Sequence, residues 1–168
     1  VTFRERKFQD KIVLIISQFY NTVDMAWLVT YFAHYLEIGV DCIALYTAFD
    51  RPLSQRTVQY TKKLETLLTH PMFKDRIIKF DFSSMDNRLE TWSHAQLAML
   101  NHATTVFYGA TLMNNDLDEL VIPRVDGKIS TLVKDYNRMY GSWSTKFKPF
   151  LVRTSVMLHR GQKQFKLS

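Results

Sequence analysis

Short apolar runs alternate with amphipathic segments along most of this chain. The first run, residues 11–18, contains the string Ile-Val-Leu-Ile-Ile, and comparable runs cover residues 40–46, 76–82 and 106–115. Short runs rich in β-branched side chains are typical of strands that are buried on both faces of a parallel sheet. This alternation is the strongest constraint on the fold, because parallel strands need a crossover between them.

The segments between and after the runs have the apolar spacing of helices. They cover residues 24–38, 53–68, 92–103 and 131–140. Gly39 is suited to end the first helix and Pro71 stops the second. With a last strand-like run at 146–158, the order is βαβαβαβ followed by αβ. It predicts one α/β domain over residues 1–168, a mostly parallel sheet between two helix layers, with right-handed crossovers.

The fourth apolar run ends abruptly in Asp116-Leu117-Asp118-Glu119. Acids at the C-terminal end of a buried strand are how an open α/β sheet builds an ion or phosphate site. In extended backbone the carboxylates of Asp116 and Asp118 leave on the same side, which suits Mg²⁺ or Mn²⁺ bridging to substrate phosphates. The alternative is a solvated turn in which Asp116 or Glu119 caps a helix.

Composition narrows the classes of protein and partner. The chain is 46% apolar and 23% charged, as in ordinary globular domains, and has no run of 18 apolar residues. Residues 1–11 are too charged for a signal peptide, and the missing initiating Met indicates a piece of a longer protein. Cys42 is the only cysteine and is expected to be a small buried hydrophobe.

The net charge of +6 comes from dispersed basic residues. It indicates either a simple solvated surface or one drawn to nucleotide phosphates or anionic lipid headgroups, with peripheral membrane association. Nucleic acid is not expected as a partner, because no stripe of Lys and Arg is interleaved with aromatics. The five glycines have neither the dinucleotide-binding nor the P-loop spacing.

Three segments, in order along the chain, resemble family-2-like and family 92 glycosyltransferases. They are residues 34–43 (HYLEIGVDCI), 96–103 (QLAMLNHA) and 116–123 (DLDELVIP). The resemblance implies the Rossmann-like GT-A fold and transfer of a sugar from a nucleotide-sugar donor, UDP-linked, to a glycan or other hydroxyl acceptor. It also implies a divalent cation, Mn²⁺ or Mg²⁺, on the paired acids.

By this resemblance Asp118 is the direct metal ligand. Asp116 either faces the donor ribose or holds the metal through water, and Glu119 orients the loop around it. The cation is needed because the departing nucleoside diphosphate develops negative charge.

The resemblance also places donor-binding residues at the other strand ends. Asn21 follows the first strand and is a candidate hydrogen-bond partner of the base. Asp50 follows the second strand, and either contacts the base or ribose or starts a turn before Pro52. Gln96 and Asn101 lie five residues apart on one helix, and each either lines the donor cleft or packs against the fourth strand.

Three further side chains have either a functional or a purely structural interpretation. His34 is expected to be a structural histidine more often than a functional one. His159 is either a late metal ligand or an exposed strand-end residue, and Trp143 either stacks on an acceptor sugar or packs in the core.

No residue is assigned as the catalytic base. Neither acid after Glu119, Asp126 in a turn or Asp135 in a polar helix, is placed for that role. GT-A domains are usually longer than this chain, so the acceptor half is expected to be truncated. The family's Asn-Glu pair also lacks its Glu after Asn21.

Two other functions remain open: a catalytically degenerate nucleotide-binding or scaffold domain, and a nucleotidyl- or phosphotransferase using the same acids. Phosphatases of the haloacid dehalogenase type are discounted, because their paired acids follow the first strand. The compartment depends on the source: cytoplasmic or membrane-associated in a bacterium, the Golgi lumen in a eukaryote.

Overall fold

The computed structural model describes residues 7–19, 22–49, 52–82, 92–123 and 126–140. Strands and helices alternate through them, which confirms the predicted α/β class. The elements are β1 (Ile12–Phe19), α1 (Met25–Glu37), β2 (Cys42–Thr47), α2 (Gln55–Leu68), β3 (Ile77–Asp81), α3 (Trp92–Val106), β4 (Thr111–Asn114) and α4 (Ile129–Tyr140). The strand-like run at 146–158 lies outside the described residues.

The fourth strand is shorter than its apolar run predicts. Residues up to Val106 belong to α3, and β4 spans only Thr111–Asn114. Between the two elements, Gly109 has φ of +86° and the N–H of Ala110 donates to the carbonyl of Phe107. Apolar residues at the end of a helix and at the start of a strand therefore form one continuous run in the sequence, and the turn at Gly109 separates them.

All four strands are parallel, in the order β3-β2-β1-β4. The chain first moves outward from β1 through β2 to β3, and then returns to place β4 on the other side of β1. The direction of winding therefore reverses between β1 and β4. At such a reversal the carboxyl ends of the two strands leave a crevice, which is where open α/β sheets bind ligands.

Helices pack on both faces of this sheet. One face of β1 and β2 joins a cluster with buried side chains of α1 and α2, including Leu28, Phe32 and Leu64. The opposite face packs against Met99 and Ala103 of α3. The change of face after β3 is what uniformly right-handed crossovers require when the winding reverses.

Gly39 ends α1 as predicted. Its φ of +102° is a conformation that residues with a side chain rarely adopt, and a Cβ there would lie 3.4 Å from Ser130 Oγ. The N–H of Ile129 donates to the carbonyl of Ile38 at 2.7 Å. The glycine therefore permits both the end of α1 and the close approach of α4. At the other end of α1 the Asp24 carboxylate accepts from the N–H of Ala26.

Cys42 lies buried at the start of β2, as predicted, and burial raises the pKa of its thiol to about 11. Because the thiolate is the reactive form, the native protein is expected to react with a disulfide reagent at pH 8 at least about tenfold more slowly than the urea-unfolded chain. The reaction can be followed by release of the coloured thiol. Equal rates in the two states would contradict the buried position.

Candidate functional site

The acids after β4 lie in a turn. The N–H of Glu119 donates to the carbonyl of Asp116 at 3.1 Å, and residues 117 and 118 form the corner. The extended backbone on which the sequence argument relied is therefore wrong for Asp116 and Asp118. The physical reason is that pairing with β1 ends at Asn114, after which aspartate favours the first position of a turn.

Apolar residues anchor this turn and leave its acids outward. Leu117 packs against the core beneath α1, and Val121 is buried. Asp116 and Asp118 are exposed, whereas Glu119 is half-buried. The two carboxylates that the sequence predicts as metal ligands are thus accessible at the carboxyl edge of the sheet.

Four side chains of α1 hold the backbone of the turn. They are Trp27, Tyr31, His34 and Tyr35, hereafter the α1 clamp. Each side chain contacts one backbone carbonyl oxygen: Trp27 Nε1 that of Leu117 (2.9 Å), Tyr31 Oη that of Asp116 (3.0 Å), His34 Nε2 that of Val121 (2.9 Å) and Tyr35 Oη that of Glu119 (3.0 Å). These positions share one helix face. With its carbonyls directed at α1, the turn is fixed through its backbone and its carboxylates stay free.

Tyr35 is the centre of the α1 clamp. Its hydroxyl donates to the Glu119 carbonyl and accepts from Asn115 Nδ2 (2.9 Å) and from the N–H of Val121 (3.1 Å). Burial raises the pKa of Tyr35 above its ordinary value, and burial also raises that of Tyr31, helped by Tyr35 and by the charges of nearby acids. Both hydroxyls therefore stay protonated and able to donate.

A second polar group lies on the α3 side of the same edge. Gln96 Nε2 donates to Ser17 Oγ of β1 at 3.2 Å, and Ser17 Oγ donates to Asn114 Oδ1 of β4 at 3.3 Å. Gln96 is thus brought to the carboxyl end of β1, beside the last residue of β4. Sequence reasoning missed Ser17 and Asn114, although each is a polar residue that interrupts an apolar run at a strand end.

The other predicted site residues differ in outcome. Asn21 and Asp50 lie outside the described residues, as do Trp143 and His159. His34 contacts a backbone carbonyl within the α1 clamp, which is the structural role expected for it.

Both acids after Glu119 in the described part of the chain have partners. Asp126 has φ of +54° in a turn, and its carboxylate accepts from Thr131 Oγ1 (2.6 Å) and from the N–H of Lys128 (3.0 Å). The bond from Thr131, followed by that from Lys128, lowers the pKa of Asp126. Asp135 pairs with Arg138 on α4 at 3.2 Å. Neither is presented to a substrate as a free base.

The donor set suits a cation shared with a substrate. Within the described ranges no three His, Cys, Asp or Glu side chains are grouped closely enough to form a metal cage. Magnesium-type sites commonly use only one or two carboxylates, with substrate phosphates and water completing the shell. Asp116 and Asp118 are two exposed carboxylates in one turn, so the donor atoms that such a site needs from the protein are present.

The candidate site is thus the Asp116–Glu119 turn, hereafter the acid turn, which lies where the winding reverses between β1 and β4. Side chains of α1 hold its backbone. On the α3 side lie the hydrogen-bonded side chains of Gln96, Ser17 and Asn114. No helix in the described part of the chain is long and apolar enough to cross a membrane.

Comparison with known proteins finds no matching family model, no matching curated protein and no matching solved structure. The function is therefore inferred from the residues and geometry at the carboxyl edge.

Proposed function

We propose that this chain forms the donor-binding part of a metal-dependent GT-A glycosyltransferase, which transfers a sugar from a UDP-linked donor to a glycan or other hydroxyl acceptor. The observation that supports this most directly is the position of the Asp116–Glu119 turn. It follows β4 at the point where the winding reverses beside β1, where open α/β sheets bind nucleotides. The resemblance of residues 34–43 and 96–103 to glycosyltransferase segments adds support from other parts of the chain.

In this proposal Asp116 and Asp118 hold the cation, and Asn21 and Asp50 contact the nucleoside. Mn²⁺ or Mg²⁺ would supply positive charge to offset the charge on the leaving diphosphate. The α1 clamp keeps the turn in one conformation before the donor arrives, so less ordering is needed on binding. Gln96 forms part of the cleft wall on the α3 side.

One observation favours a second candidate, a nucleotide-binding domain of the same fold without catalytic activity. Transfer needs a base for the acceptor hydroxyl. Asp126 is bonded to Thr131 and Lys128, and Asp135 is paired with Arg138. Binding of a metal and nucleotide by the full-length protein, without transfer to any acceptor, would favour this candidate over the enzyme.

The test is calorimetric titration of UDP, GDP and CDP, each with and without Mn²⁺. We expect UDP to bind only with the metal, and Asp118→Ala to weaken that binding at least about tenfold by removing a ligand. Asp135→Ala is the control, because it removes a carboxylate from α4, outside the Asp116–Glu119 turn. Metal-independent binding, or equal affinity in Asp118→Ala, would contradict the proposed site.

A further inference from the structure

We propose that Asn114, at the end of β4, sets the specificity of the site for a diphosphate: its amide nitrogen donates to a phosphate oxygen of the bound nucleotide. Ser17 and Gln96 position it. The inference rests on the proposed function, since it concerns the same ligand. It adds a binding residue on the α3 side, where the acid turn itself supplies none.

The orientation of the Asn114 amide follows from the donors and acceptors around Ser17. A glutamine amide nitrogen only donates, so the bond from Gln96 Nε2 makes Ser17 Oγ an acceptor there. The single hydroxyl proton of Ser17 is then directed to Asn114 Oδ1. With its oxygen held in this way, Asn114 turns its two N–H donors away from Ser17.

The exposure of these residues is consistent with that arrangement. Ser17 is 9% exposed, whereas Asn114 is an exposed residue. The next residue, Asn115, extends to the opposite face and is bound by Tyr35. Alternation along the strand therefore directs one asparagine into the α1 clamp and leaves the other at the crevice.

The chemistry of the neighbouring acids indicates what the Asn114 donors would bind. Asp116 lies two residues after Asn114. A cation held by the carboxylates contacts only the phosphate oxygens that coordinate the metal. The other phosphate oxygens need N–H or O–H donors. A neutral amide at the edge of an acidic turn supplies such a donor without competing for the cation.

The decisive variant is Asn114→Asp, which keeps the shape of the side chain and an oxygen for Ser17 but replaces the donor nitrogen by an anionic oxygen. With saturating Mn²⁺, we expect UDP to bind at least about tenfold more weakly, because a charged hydrogen bond is replaced by repulsion. Asn114→Ala, which removes the whole amide but adds no charge, is expected to lose less. Gln59→Glu makes the same amide-to-acid change on the exposed surface of α2 and should bind UDP unchanged.

Each outcome of these titrations has one meaning. Unchanged UDP affinity in Asn114→Asp would overturn the inference while leaving the metal site intact. Tighter Mn²⁺ or UDP binding would also overturn it, since the residue would then face the cation. If the unaltered chain binds UDP with no metal dependence, the proposed function fails as well. Thermal unfolding of each variant verifies that the fold is retained, and Ser17→Ala should reduce affinity in the same direction through the position of Asn114.

Discussion

Leu14→Ala is expected to lower the free energy of unfolding by about 3 kcal/mol, the middle of the range for leucine deleted from a close-packed core. Leu14 is fully buried in β1, between Ile43 of β2 and Met113 of β4, and belongs to the cluster beneath α1. The truncated side chain leaves a cavity that three hydrogen-bonded strands cannot close by moving together. Urea unfolding followed by tryptophan fluorescence measures the loss.

Leu97→Ala is the matched control for this change. Leu97 is 54% exposed on α3, so the same truncation there should change stability by no more than about 0.5 kcal/mol. A loss of similar size in both variants would mean that β1 is not the centre of the core. The order of the strands would then be in doubt, and with it the crevice between β1 and β4.

The alternation of apolar runs and helical periodicity was sufficient to predict the class of fold, because buried parallel strands and amphipathic crossovers have different apolar spacing. It could not place the start of β4. Phe107, directly after α3, is apolar because it packs in the cluster with Met99 of α3, whereas Val106 is an exposed residue at the end of the helix. Only Gly109, in the left-handed conformation, separates them from the strand. A glycine in the sequence does not by itself mark the boundary between a helix and a strand.

The candidate site could be predicted only in part. Acids at a strand end indicated the edge of the sheet, but not the turn that Asp116 and Glu119 form. The α1 clamp was hidden because its partners are backbone carbonyls 84 to 90 residues away, which carry no side-chain signal. In the sequence its aromatic residues match the core face of a helix equally well.

Tyr35→Phe is expected to lower the free energy of unfolding by about 3 kcal/mol, although it removes a single oxygen. Two donors lose their acceptor, Asn115 Nδ2 and the N–H of Val121, and both belong to buried residues. A buried donor left without a partner costs roughly 1–3 kcal/mol, so two of them outweigh the small gain from a less polar ring. Urea unfolding measures the loss of stability, and amide hydrogen exchange at Val121 reports the opening of the turn.

Tyr31→Phe separates this effect from the loss of any buried hydroxyl. Tyr31 Oη donates to the carbonyl of Asp116 and also lies in hydrogen-bond contact with Tyr35 Oη. Its removal leaves one acceptor at an exposed residue and takes one contact from Tyr35, for about 1 kcal/mol. Tyr108→Phe, at a residue that is 72% exposed, should leave stability unchanged. Equal losses in Tyr31→Phe and Tyr35→Phe would show that the turn is not held through Tyr35. The acids would then be held by the other three members of the α1 clamp and by the packing of Leu117 and Val121, and the nucleotide affinity of Tyr35→Phe would match that of the unaltered chain.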